Sequence, residues 1–96
     1  MKILALVSLR PDAPPDQIRS QLTEELKGSW SLYREGTLRE AYATDLPTRI
    51  VFVMEADSLA VASTRLSELP LVAAGRFDIE LIELKPFVNW AALFSR

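Results

Sequence analysis

Three neighbouring polar residues, Arg39, Glu40 and Tyr42, carry the side chains best suited to chemistry in this sequence. On a strand, side chains alternate between faces, so Leu38, Glu40 and Tyr42 are expected on one side and Arg39, Ala41 and Ala43 on the other. A glutamate facing an enclosed lumen loses hydration, which raises its pKa and makes it a usable general base near neutral pH. A tyrosine beside it can donate a hydrogen bond to a developing enolate. The same spacing also fits an exposed edge strand on which Glu40 simply faces water. Arg39 can grip a substrate carboxylate with two parallel hydrogen bonds, or can pair with Glu35 or Glu55 to hold the corner where helix meets strand. The candidate catalytic residues are therefore Glu40 and Tyr42, and the candidate substrate-binding residues are Arg39, Trp30 and Phe52.

The chemistry open to these residues is narrowed by two absences. The chain has no cysteine, hence no disulfide framework, thiolate nucleophile or Cys-ligated zinc site, and it has no histidine. Imidazole is the one side chain whose ordinary pKa serves acid and base near neutrality, so proton transfer must fall to a carboxylate, a tyrosine, a lysine or bound water. No metal and no cofactor is expected. Asp78 and Glu80 share a strand face and suit either a paired-carboxylate site or the charged defence of an edge strand against aggregation. The link Leu71-Val72-Ala73-Ala74-Gly75 is too apolar and too poor in glycine to cradle a phosphate. Arg49 and Arg65 read as solvated charges.

Ninety-six residues fit one small domain, and 49% hydrophobic residues is more than such a domain needs for its own core. The surplus points to a partner surface, most simply a homo-oligomer. Eleven basic against 13 acidic residues, with no long basic run, favour neither nucleic acid nor an anionic membrane as partner. No window has the ~18–20 unbroken apolar residues of a membrane span, and the apolar start meets Arg10 and Pro11 without a cleavage site, so a cytoplasmic protein is expected.

Elements that would position these residues can be read in order. Lys2 to Leu9 is apolar on both alternating faces, the pattern of a central strand. Pro15 suits the first turn of a helix, and Ile18, Leu22, Leu26, Trp30 and Tyr33 then recur at helical spacing, with Gln17, Arg19, Gln21, Glu24, Glu25 and Lys27 mostly on the other face. Gly28 lies inside this helix at a cost of about 1 kcal/mol relative to alanine. Gly36 supplies the left-handed residue that ends it, and Leu38–Ala43 follows as a strand. Thr44–Thr48 is a turn and Arg49–Glu55 a third strand. Ser58 caps a second helix striped by Leu59, Ala62, Leu66 and Leu69, which Pro70 helps to stop. Phe77–Leu84 is the fourth strand. The order is β-α-β-β-α-β, which predicts an α+β, ferredoxin-like protomer: a four-stranded antiparallel sheet with two helices on one face and the other face open. Two protomers stacking their open faces would close a barrel. Residues 85–96 form a tail with large apolar side chains. Either Phe87 and Trp90 close the protomer's own core, or Trp90, Leu93 and Phe94 strap a neighbouring subunit; we divide the chain into a 1–84 core and an 85–96 oligomerisation tail.

Arg34-Glu35-Gly36-Thr37-Leu38-Arg39 after one helix, Leu69-Pro70-Leu71 after another and Asp78-Ile79-Glu80 in the last strand resemble the muconolactone isomerase family. The resemblance implies a dimeric α+β barrel that can assemble further into rings, with a cofactor-free pocket between subunits and a small organic ligand as substrate. It implies an isomerase or cyclase that acts on a small lactone or unsaturated acid by proton transfer. Where that family has a histidine after the arginine of the motif this chain has Glu40, and where it has a tryptophan two residues later this chain has Tyr42, so a different substrate is expected. The alternative is a non-catalytic module that binds a small molecule or a partner in the same lumen.

Overall fold

A computed structural model describes residues 1–95. Its order is β1 (Lys2–Leu9), α1 (Pro15–Glu35), β2 (Leu38–Asp45), β3 (Thr48–Glu55), α2 (Leu59–Leu66), α3 (Pro70–Ala73) and β4 (Phe77–Leu84), followed by a 3₁₀ helix over Val88–Leu93. The four strands form one sheet in the order β2-β3-β1-β4, with every neighbouring pair antiparallel. This is the expected β-α-β-β-α-β α+β architecture, with α3 as an extra turn of helix.

The sheet divides the apolar residues cleanly. Ile3, Ala5 and Val7 of β1 and Phe52 and Met54 of β3 bury against Leu32, Ala62, Leu66 and Leu69 from the helical side. Each such large side chain contributes about 1.5–3 kcal/mol when removed from water. On the opposite face, Leu4 and Leu6 of β1 sit across from Val53 and Val51 of β3 and Ile82 and Glu80 of β4. Leu4, Leu6, Val51 and Val53 remain only half-buried in the protomer.

Both ends of α1 fall where the sequence places them. Pro15 occupies its first turn, and Gly36 ends it at φ +92° with its N–H bonded to the Tyr33 carbonyl. The face that α1 buries is different from the expected one. Leu22, Leu26 and Trp30 are exposed, Trp30 at 61%, while Glu25 and Leu32 are buried and Ile18, Gln21 and Gly28 half-buried. The reason is Gly28: a Cβ there would come within 2.7 Å of Leu69 Cδ2. The missing side chain lets α1 settle on the α2–α3 corner, which turns the residue 18, 21, 25, 28, 32 row inward and leaves the 22, 26, 30, 33 row as a ridge. Leu59 is likewise exposed rather than covering the sheet.

Four smaller differences follow from local geometry. The hairpin turn narrows to Leu46-Pro47, so β2 runs on to Asp45 and β3 starts at Thr48. Pro70 does not only stop the second helix, which ends at Leu66; it opens α3 from its first position, where its missing N–H costs nothing. Arg65 is not a free charge but pairs with Glu35 and Glu68, tying α2 to the end of α1. Asp78 accepts a 3.0 Å ion pair from Arg10, so it is not half of a free carboxylate pair. The last strand leads into a tail in which none of the described residues is buried: Phe87, Trp90, Leu93 and Phe94 stay in water, and only Phe87 and Trp90 pack together, edge to face. The expectation that Phe87 and Trp90 close the protomer's own core is therefore overturned.

Candidate functional site

Between α1 and the helix-facing side of the sheet lies a cleft of about 380 Å³. It exists for reasons visible in the residue types. Ala41 and Ala43 stand opposite Phe52 and Ile50, and their methyl groups leave a gap beneath α1 that larger side chains would fill. Val7, Leu22, Leu26, Phe52, Leu69 and Ile79 supply apolar walls. At the edge of β2 it adjoins a wider mouth of about 570 Å³, formed by Leu26, Ser29, Trp30 and Tyr33 of α1 and residues 38–42 of β2. These volumes fall in the range of about 300–1,000 Å³ typical of small-molecule sites.

One acidic side chain lines the inner cleft. Glu25 is only 9% exposed, and its Oε1 accepts a 2.7 Å hydrogen bond from the Leu71 N–H at the start of α3. Burial among hydrocarbon pushes its pKa up, and the Leu71 N–H, which favours the charged form, opposes the rise only in part. A carboxyl held this way keeps its proton to higher pH than a free glutamate, the property wanted of a group that must both take and return a proton. Sequence spacing alone put Glu25 on the polar side of α1. The signal that finds it is Gly28, three residues on and therefore on the same helix face: an unfavourable mid-helix glycine marks a close approach, and Glu25 stands beside it.

Glu40 and Tyr42 are brought together. The Tyr42 hydroxyl donates a 2.5 Å hydrogen bond to Glu40 Oε1, and both side chains are exposed in the protomer at the mouth of the cleft. That bond raises the Tyr42 pKa, with the negative charge of Glu40 adding to the effect, so the phenol stays protonated and remains a donor. Their relation to Leu38 departs from simple alternation. A β-bulge between Leu38 and Glu40 pairs Leu38 with Met54 but Glu40 with Val53 and Tyr42 with Val51. Leu38 thus enters the helix-side core, while Glu40 and Tyr42 share the face of Val51 and Val53.

Arg39 lies at the bulge and lines the mouth. It forms no ion pair with Glu35 or Glu55 among the described residues; Glu35 is taken by Arg65 and Glu55 by the terminal amine of Met1. Trp30 also lines the mouth, stacked on Tyr33 with ring centres 5.3 Å apart, and Phe52 lines both mouth and cleft. Among the described residues no group of three or more side chains could hold a metal ion, and no helix is long and apolar enough to cross a membrane.

No protein-family model and no curated protein matches the sequence. Solved structures do. Muconolactone isomerase superposes with a TM-score of 0.75 at 23% identity, over 93% of this chain and 93% of that one. A 5-chloro-2-hydroxyhydroquinone dehydrochlorinase from Burkholderia phenoliruptrix AC1100, solved with 2,5-dihydroxybenzoquinone, superposes with a TM-score of 0.63 at 18% identity, over 88% of this chain and 94% of that one. The protomer has a muconolactone isomerase-like fold.

Proposed function

We propose that the chain is a cofactor-independent, isomerase-like enzyme that moves a proton on a small lactone or unsaturated acid bound in the helix–sheet cleft. The observation that carries this reading is Glu25, a single buried carboxyl with a raised pKa in an otherwise apolar cavity of ligand size. The Glu25 carboxylate would take a proton from a carbon next to a carbonyl, leaving the electron pair delocalised onto the carbonyl oxygen as an enolate. The protonated Glu25 then returns the proton at a different carbon and so shifts the double bond. Apolar walls exclude the water that would compete for the intermediate.

The mouth residues complete the site in this reading. Glu40 and Tyr42 share the open face of the sheet with Val51 and Val53, so their hydrogen-bonded pair sits at the rim of the mouth and meets only a part of the ligand that projects from the cleft. Arg39, which forms no ion pair with Glu35 or Glu55 among the described residues, receives a substrate carboxylate. Trp30 and Phe52 flank the ring of the ligand. The similar proteins support the class of substrate: one is named for a lactone, the other for a hydroxylated ring. We further infer that two copies stack the half-buried Leu4, Leu6, Val51 and Val53 face to close a barrel.

The test is solvent deuterium uptake. Small lactones and unsaturated acids are incubated with the protein in heavy water, and label at carbon is read by mass spectrometry. The Glu25→Gln variant should bind the accepted compound but lose uptake by a factor of about 10²–10⁴, the usual weight of one general acid–base group. Equal uptake by variant and parent would remove Glu25 from the reaction. The Leu71 hydrogen bond favours a second use of Glu25, as a tether between α1 and α3 in a protein that binds a small molecule without turning it over. Binding without uptake in the parent protein would support that use.

A further inference from the structure

The cleft holds one side-chain hydroxyl that the proton transfer described above leaves without a task. Ser29 stands one turn after Glu25 on α1 and lines both the cleft and its mouth. Of the described residues along the cleft, only Ser29 and Tyr42 carry a hydroxyl, and Tyr42 gives its own to Glu40 on the open face of the sheet. We propose that Ser29 is a catalytic residue that donates to the carbonyl oxygen of a neutral, enolisable lactone or enone whose α-carbon lies over Glu25. The proposal rests on the proton-transfer reading of Glu25 and names the part of the substrate that enters the cleft.

Helix geometry makes the pair. Residues four apart on a helix share one face, with Cβ atoms about 5–6 Å apart. Each residue turns the helix by about 100°, so Ser29 lies about 40° round from Glu25, on the side of Leu22 and Leu26, which also wall the cleft. Gly28 and Leu32 fall the other way, toward the core. The two polar side chains of this wall are therefore adjacent. The carbonyl oxygen and the α-carbon of an enolisable compound are two bonds apart, a span that a serine hydroxyl and the longer glutamate side chain can straddle with each contact near ~3 Å. Leu71 holds Oε1 of Glu25, which leaves Oε2 to take the proton.

The hydroxyl can be redirected at little cost. Ser29 Oγ now donates a 2.9 Å hydrogen bond to the Leu26 carbonyl. That carbonyl lies inside α1, where it also accepts the Trp30 N–H, so turning the hydroxyl toward a ligand leaves it satisfied. When Glu25 takes the proton, the C–H electron pair becomes the enolate C=C bond and the carbonyl π pair moves to oxygen. Ser29 then donates to an anion, a stronger bond than the one it gives the neutral carbonyl. Return of the proton from Glu25 at another carbon restores the carbonyl with the double bond shifted. A donor that bonds the transition state more tightly than the ground state raises kcat instead of tightening binding.

The class of substrate follows from the charges. None of the described residues lining the cleft is a lysine or an arginine. An ionised carboxylate placed there would be desolvated without a partner, next to the Glu25 carboxyl. The carbonyl that enters is therefore neutral. A carboxylate elsewhere on the same molecule stays at the mouth, where Arg39 lines the wall.

Alanine is the best helix former, so Ser29→Ala removes the hydroxyl from a half-buried helical position and leaves the fold in place. With a compound that the parent labels in heavy water, Ser29→Ala should lower kcat for deuterium uptake by about 10²–10³, the usual cost of losing one oxyanion donor, and move KM by less than about threefold. A second measurement needs no turnover. 4-Nitrophenol, whose phenolate oxygen imitates an enolate oxygen, is bound to Glu25→Gln protein and titrated by its visible absorbance. Adding Ser29→Ala in that background should reduce the preference for phenolate over phenol about tenfold or more. Equal kcat in Ser29→Ala and parent, label on a compound whose only carbonyl is an ionised carboxylate, an unchanged phenolate preference, or no binding of 4-nitrophenol would each overturn the proposal. If the parent labels no compound, the proton-transfer reading of Glu25 fails by itself. A lost phenolate preference then still supports Ser29 as the donor to a bound oxyanion, and an unchanged one overturns it.

Discussion

Glu25 on α1 and Leu71 on α3 are joined by a 2.7 Å hydrogen bond from the Leu71 N–H to the Glu25 carboxylate, which ties the two helices together beside the cleft. Forty-six residues separate the two in sequence. The bond satisfies an N–H at the start of a one-turn helix that has no side-chain cap, and it holds in place the one buried acid among the described residues. The same contact gives the site both its rigidity and its charge.

Stability should depend on pH through Glu25. Its pKa is raised in the folded protein, so between the unfolded and folded values the native state holds more protons than the unfolded state, and stability falls as pH rises through that window. Glu25→Gln keeps an acceptor for Leu71 but cannot ionise. Its stability relative to the parent should therefore rise with pH from acid to neutral, as read by urea denaturation at several pH values. A constant difference across pH would contradict a raised value.

Gly28→Ala should destabilise although alanine is the better helix former by about 1 kcal/mol. The added Cβ meets Cδ2 of the buried Leu69 at 2.7 Å, and such overpacking typically costs about 1–3 kcal/mol. Combining it with Leu69→Ala should recover the clash term, so the two changes together should cost clearly less than the sum of the singles.

Leu38→Ala should lower stability by about 2–5 kcal/mol, because a fully buried side chain is removed from the point where α1 passes into β2. Leu46→Ala, 97% exposed at the hairpin tip, should change it by less than about 0.5 kcal/mol. Equal losses in thermal denaturation would place Leu38 outside the core.

Ultraviolet titration can read the mouth pair, since the chain has only Tyr33 and Tyr42 as phenols. Tyr42→Phe identifies the Tyr42 contribution. In Glu40→Gln the charged acceptor is gone, so the Tyr42 midpoint should drop toward that of an ordinary tyrosine. An unchanged midpoint would mean that the two residues do not interact.

The element order was legible because its signals are local: Pro15 and Gly36 bound α1, and β1, β3 and β4 were bounded to within a residue of their observed ends. Facing was less so. Period-two counting cannot see an extra residue, and the bulge at Arg39 sends Leu38 and Glu40 to opposite faces. On α1 the stronger apolar row, 22, 26, 30 and 33, is the exposed ridge, because the inward row is chosen by the close approach of Gly28 to Leu69, a contact between residues 41 positions apart. Glu25 was hidden by the same choice. Arg39, Glu40 and Tyr42 stand out in the sequence as neighbours on one strand, and in the structure they line one opening together with Trp30.

The central claim is that the cleft keeps a proton on Glu25 to higher pH than water would, and carbon-13 NMR titration of the glutamate side-chain carboxyls tests it most directly. Loss of one resonance in Glu25→Gln assigns the signal. The account predicts that this resonance titrates with a midpoint above the ordinary glutamate value of about 4.3. A midpoint at or below that ordinary value would contradict it.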